Sequence, residues 1–67
     1  MNTNDKKSAI KIDASVFEKT NGDRVKKGEI LGHFAGNPVE APFDGIIEGI
    51  SFNSEDHALI VVLKEQT

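Results

Sequence analysis

Two glycines bracket one valine in the stretch that decides the fold, Gly22-Asp23-Arg24-Val25-Lys26-Lys27-Gly28-Glu29-Ile30-Leu31. Glycine adopts the positive φ angles of tight turns without steric cost, so each of the two glycines predicts a turn. Two turns in such close succession make the chain fold back sharply. We therefore expect Val25 to point into the core and to plug one end of a small β structure.

Short apolar segments separated by turn residues lie on both sides of this stretch. Ile10, Ile12 and Ala14 alternate with period two, which is typical of a strand. Ser15-Val16-Phe17-Glu18 fits a capping box, but a helix of under two turns would not hold without packing, so we predict a strand or irregular turn here. Beyond the glycine turns, we expect strands at residues 29–34, 39–41, 46–52 and 58–63. This spacing predicts an all-β sandwich or barrel.

The length of 67 residues allows one domain with one core. Residues 1–8 are polar and are predicted to form a disordered tail, followed by a single β domain at residues 9–67. There is no cysteine, so neither a disulfide nor a cysteine-based metal site can reinforce the fold. The predicted core comprises Val25, Ile30, Leu31, Ile46, Ile50, Leu59 and Val61.

A second motif follows the first, Val39-Glu40-Ala41-Pro42-Phe43-Asp44-Gly45-Ile46-Ile47. Together the two motifs resemble the biotinyl/lipoyl carrier domains, whose pattern runs Gly-Asp-x-Val-x-x-Gly-Glu-x-Leu, then a hairpin, then Ala-Pro-x-x-Gly. The resemblance covers roughly residues 22–50 and implies a flattened barrel-sandwich hybrid. The second half is predicted to be shortened, with apolar surface exposed at one corner, because the carriers' second Gly-Asp turn has only a faint counterpart at residues 52–55.

The function of the carriers depends on a lysine at the tip of the hairpin between the two motifs, which takes biotin or lipoate. Here that tip is Ala35-Gly36-Asn37-Pro38, so Gly36, Asn37 and Pro38 replace the attachment-lysine hairpin. We therefore predict no cofactor and no catalytic residue. The resemblance then implies a non-catalytic scaffold or interaction module whose partner is another protein. The alternative is a carrier domain of a biotin- or lipoate-dependent multienzyme system that uses an atypical lysine.

Charge and hydropathy exclude several other classes of protein. The net charge is -3, and the lysines are interleaved with acidic residues, which is not the concentrated basic patch that nucleic acid requires. The longest apolar run, residues 58–63, is far shorter than the roughly 20 residues of a membrane span. The N-terminal residues lack the apolar stretch of a signal peptide. We expect no nucleic-acid partner, no membrane insertion and a cytoplasmic location.

Two further features concern metal binding and self-association. His33 and His57 could bind a metal together with Glu55 and Asp56, but their spacing matches no common ligand pattern, so we predict no metal site. Lys64 and Glu65 are the only charged residues that could protect the strand at residues 58–63, and strand edges without such charges pair with other chains. We therefore expect a weak homodimer or a docking edge for a partner strand.

Overall fold

The computed structural model describes residues 6–66, which form an all-β domain, so the all-β part of the predicted fold class is confirmed. The strands are β1 (Lys7–Asp13), β2 (Arg24–Val25), β3 (Ile30–Phe34), β4 (Asn37–Glu40), β5 (Gly45–Asn53) and β6 (Ala58–Glu65). A single 3-10 turn at Ala14–Val16 follows β1. None of the described helices is long and apolar enough to cross a membrane.

The strands form two antiparallel sheets. Four strands lie in the order β1-β6-β5-β2, and β3 pairs with β4 in a separate two-stranded sheet that packs beside β1. β6 therefore lies between β1 and β5 and is hydrogen-bonded on both sides. The prediction that the strand at residues 58–63 forms an exposed edge is wrong, because β5 pairs with one side of β6 and β1 pairs with the other.

The start of β1 corrects the predicted N-terminal tail. Lys7 and Ser8, which were assigned to the tail, pair with Lys64 and Leu63 in β6. The backbone N–H of Glu65 also donates to the carbonyl of Lys6 at 2.8 Å. The predicted boundary after residue 8 therefore falls inside a strand, while the rest of the predicted tail, residues 1–5, lies outside the described residues.

The ambiguous segment after β1 resolves as one turn of 3-10 helix. Its cap is Asp13, whose carboxylate accepts the backbone N–H of Ser15 at 3.0 Å and the hydroxyl of Ser15 at 2.8 Å. These hydrogen bonds hold the pKa of Asp13 below its usual value, the backbone N–H contributing most. Asp13 supplies the cap, so the capping box that Ser15 and Glu18 could form is not present.

Two turns of identical construction flank β2. In the first turn, the N–H of Asp23 donates to the carbonyl of Thr20 at 3.1 Å, and Gly22 has φ 91°. In the second, the N–H of Glu29 donates to the carbonyl of Lys26 at 2.9 Å, and Gly28 has φ 85°. A positive φ at the third residue is the geometry of a type II turn, which explains why glycine occupies both positions.

In each turn, the carboxylate of the residue after the glycine adds a second hydrogen bond across the turn. Asp23 accepts the backbone N–H of Thr20, and Glu29 accepts that of Lys26, both at 2.9 Å. Val25 lies between the two turns and is only 3% exposed. The predicted valine plug is therefore confirmed, although the repeated carboxylate closure was not predicted.

The core is small and lies between the two sheets. Val25, Leu31 and Val61 are buried as predicted, whereas Ile50 and Leu59 are half-buried at its margin and Ile30 is 50% exposed. Ile46 is also only half-buried. The remaining buried apolar residues are Ile12, Ala41, Phe43, Ile47, Ala58 and Leu63.

Two irregularities in the strands explain these differences. β5 shifts register between Ile47 and Gly49, so Glu48 is an extra residue and the alternation changes phase there. Ile47 and Ile50 then both contact the core, and Ile46 points the other way. A similar shift between Ile30 and Gly32 in β3 turns Ile30 outward.

Ile46 and Ile47, which are neighbours in β5, allow a direct test of the register. We expect Ile47→Ala to lower the free energy of unfolding by about 2–5 kcal/mol, because it leaves a cavity among fully buried side chains. Ile46→Ala removes the same atoms from a half-buried side chain and should cost clearly less. Urea denaturation followed by circular dichroism measures both, and equal losses would contradict the observed register.

Candidate functional site

The β3–β4 hairpin lies between the two motifs quoted above, and its turn is tighter than predicted. Only Ala35 and Gly36 form the loop, with φ 54° and 82°, which is the geometry of a type I′ turn. Asn37 and Pro38 lie in β4, opposite Phe34 and His33. The predicted four-residue tip is therefore corrected to two residues, and Pro38 occupies a short edge strand, where a missing N–H is tolerated.

No lysine lies on β3, on β4 or in the loop that joins them. Lys11 of β1 approaches the hairpin from outside, with its Nζ 5.7 Å from the centre of the Phe34 ring. That ammonium is already held by the carboxylate of Asp56 at 2.6 Å. Two other lysines are also in ion pairs: Lys7 with Glu48 at 3.1 Å and Lys19 with Glu29 at 3.2 Å.

The two histidines lie on different elements. His33 is exposed on β3, whereas His57 ends the loop between β5 and β6 and packs edge-on against Phe52, with ring centres 6.4 Å apart. Asp56 is engaged by Lys11. Within residues 6–66, no group of three or more potential ligands is arranged to hold a metal ion.

An open groove of about 530 Å³ runs along β3 beside the chain that leads into the first turn. Ile30 presents a half-exposed apolar side chain there, between the ion pair of Lys19 and Glu29 and the imidazole of His33. A groove of this kind offers one apolar contact and several hydrogen-bonding groups without enclosing a small molecule. It suits an extended polypeptide better than a reacting substrate.

Glu29 is the most strongly held carboxylate of this groove. The backbone N–H of Lys26 and, second, the Lys19 ammonium stabilise its charged form and lower its pKa below the ordinary value of 4.5. The side chain thus links the second glycine turn to the chain that enters the first. The signal in the sequence is the acidic residue directly after each glycine, at Asp23 and Glu29.

This lowered pKa predicts a loss of stability in acid. The folded state binds fewer protons than the unfolded state between the two pKa values, so the stabilisation is complete above about pH 4.5 and is lost as the pH falls through the folded value. We expect the stability difference between the wild type and Glu29→Gln to shrink as the pH falls from 6 to about 3. Because the carboxylate is partly solvated, this difference should not exceed about 1 kcal/mol. Urea titrations at each pH measure it, and a constant difference would contradict this assignment.

Comparisons with family models, curated proteins and solved structures find no match. We therefore infer the function from the geometry of the hairpin and the glycine turns, and from the motif resemblance described above.

The type I′ turn predicts an unusual response to mutation. Ala35 has a left-handed conformation that costs roughly 1–2 kcal/mol for residues with a Cβ, but that asparagine adopts readily. Ala35→Asn should therefore stabilise the domain by up to about 1 kcal/mol. Ala35→Val, whose branched side chain opposes the same conformation, should destabilise it. Thermal melts compare the two variants, and a valine variant as stable as the asparagine variant would show that the loop is not type I′.

Proposed function

We propose that this chain is a lipoyl-like domain of the barrel-sandwich hybrid type that carries no prosthetic group. In this proposal it acts as a non-catalytic scaffold or protein-interaction module, and its partner is another protein. We also propose that the chain is not an enzyme and that it is located in the cytoplasm.

The glycine turns support the type of fold. Each turn is tied to the strand that faces it by a matched pair of backbone hydrogen bonds. Gly22 donates to the carbonyl of Ile47 at 2.8 Å, and Ile47 donates back to Asp23 at 2.9 Å. Gly28 and Glu29 make the equivalent pair with Ala41, both at 2.9 Å. The two motifs that resemble the carrier domains therefore contact each other through their backbones.

Gly45 of the second motif supports the same proposal. It is buried at the start of β5, and a Cβ atom there would overlap the backbone carbonyl of Lys64 in β6. The glycine of the Ala-Pro-x-x-Gly pattern is thus needed for the close approach of two strands. This is a structural role, in keeping with a scaffold rather than a reactive site.

The single observation that carries the functional proposal is the loop of the β3–β4 hairpin. A swinging prosthetic group needs an exposed lysine at this loop, so that a ligase can reach it and the arm can move between active sites. Ala35 and Gly36 offer a methyl group and a hydrogen instead, in a turn too tight to place another residue at its tip. The groove beside Ile30 gives the same sheet a surface that a partner polypeptide could contact.

Enzymatic modification tests the proposal. The purified domain is incubated with ATP, with biotin or lipoate, and with the matching ligase, and its intact mass is measured. We expect no change in mass, while an authentic carrier domain in the same tube gains one prosthetic group. A stoichiometric gain on one lysine of this chain would overturn the proposal and establish the alternative, a carrier that uses an atypical lysine.

A converse variant sharpens this test. Ala35→Lys places an amine at the tip of the hairpin without lengthening it. We expect the ligase to refuse this variant as well, because the two-residue loop differs from the lysine hairpin of the carriers. Modification of Ala35→Lys alone would mean that this domain lacks only the lysine and retains the rest of the recognition surface.

A further inference from the structure

Part of β5 has an edge that no other described strand covers. β2 pairs only with Gly45 and Ile46, and the first glycine turn covers Ile47. Beyond the extra residue Glu48, residues 49–53 pair with β6 on one side and with no described strand on the other. Successive residues of an antiparallel strand direct their backbone groups to alternate sides, so Ile50 and Phe52 present N–H and C=O groups on the open side. This is the kind of edge that recruits another strand.

The uncovered segment lacks the protection that the edges of β1 and β4 carry. β1 has Lys7 and Lys11 along its edge, and β4 has Pro38 and Glu40. The segment Gly49-Ile50-Ser51-Phe52-Asn53 has neither a charge nor a proline. It also holds Phe52, which at 59% exposed is one of two large apolar side chains that the described chain leaves open to solvent. Charges and prolines are the usual means by which edges avoid pairing, so their absence here leaves this edge able to pair.

We propose that residues 49–53 of β5 pair antiparallel with the same residues of a second copy of this chain. The sequence of the segment is self-complementary about Ser51. With Ser51 on the two-fold axis, Ile50 lies opposite Phe52 of the second copy, and Gly49 lies opposite Asn53. Aromatic and β-branched residues are a favourable cross-strand pair, and the two-fold symmetry makes this pair twice.

The charges near the segment allow this pairing. One step beyond the five paired residues, Glu48 comes opposite Ser54 of the second copy, so no two carboxylates face each other directly. Glu48 is also neutralised by Lys7 within its own chain, at 3.1 Å. The second copy turns away toward its own β6 after Asn53, where the β5–β6 loop begins, before it reaches the first glycine turn.

The pairing explains why a domain this small leaves Phe52 uncovered. Ile50 and Phe52 are two residues apart and share a face of the sheet, the face on which Ile50 packs against the core. In the dimer each Phe52 covers the Ile50 of the other copy. The apolar core of one copy therefore continues into that of the other across the two-fold axis. The interface is short, and we expect an affinity in the high micromolar to millimolar range. The proposal holds whether or not the lipoyl-like function is correct.

Sedimentation equilibrium from micromolar to millimolar concentration tests the dimer, with three variants. Phe52→Lys should weaken association by about tenfold or more, because it removes both apolar pairs and adds a charge to the edge. Ile30→Lys makes the same change at the other exposed large apolar residue, on β3, and should leave association unchanged. Ser51→Lys brings two ammonium groups together at the axis, so it should abolish the dimer at low salt and regain part of it at high salt.

Each alternative outcome has a clear meaning. A wild type that stays monomeric at millimolar concentration would overturn the proposal and leave the edge to a strand of another protein. A dimer that survives both Phe52→Lys and Ser51→Lys, or one that Ile30→Lys abolishes, would place the interface on another face. Circular dichroism verifies that each variant is folded, and Ser51 is exposed, so its variant serves if Phe52→Lys does not fold. In the wild type, amide exchange at Ile50 and Phe52 should slow as concentration rises.

Discussion

The backbone hydrogen bonds that tie the two glycine turns to Ile47 and to Ala41 are the interaction on which the rest of this structure depends. The first turn fixes the chain against β5 of the four-stranded sheet, and the second fixes it against the end of β4 in the two-stranded sheet. β2 runs between them and carries Val25 into the space that both sheets share. Without these two attachments, only side-chain contacts and the two connecting segments of the chain would hold the small sheet beside the large one.

This dependence on backbone follows from the size and composition of the chain. A domain of 67 residues without cysteine has a small core and no covalent link across it. Side-chain hydrogen bonds therefore reinforce the turns rather than the core. Asp23 and Glu29 close their own turns, and Asp44 accepts the backbone N–H of Lys27 at 2.8 Å, which ties the second turn to the residue before β5. The carboxylates of this region thus hold the backbone in shape.

The features that the sequence predicted are those with a strictly local cause. Glycines at positive φ placed both turns around Val25, and the absence of lysine from the hairpin could be read directly. The position of the hairpin tip could not be predicted, because Asn37 and Pro38 have stronger turn preferences than Ala35. Ala35 adopts a conformation that alanine disfavours. Adjacent apolar residues at Ile46 and Ile47 left the phase of β5 open, and alternation does not predict the extra residue at Glu48. The central position of β6 was missed because its partner β1 is distant in sequence.

That distance governs the order in which the domain can assemble. The β3–β4 hairpin closes over two residues, so it can form as soon as Glu40 is available. β1 has no strand partner among the described residues except β6, which is the last strand of the sheet to be synthesised. Until that strand arrives, β1 can contact the β3–β4 hairpin through side chains such as Ile12 but has no strand to pair with. Pairing between such distant segments is slow compared with a local hairpin. We therefore expect closure of the sheet by β6 to limit the rate of folding, because without β6 neither β1 nor residues 49–53 of β5 have a strand partner among the described residues.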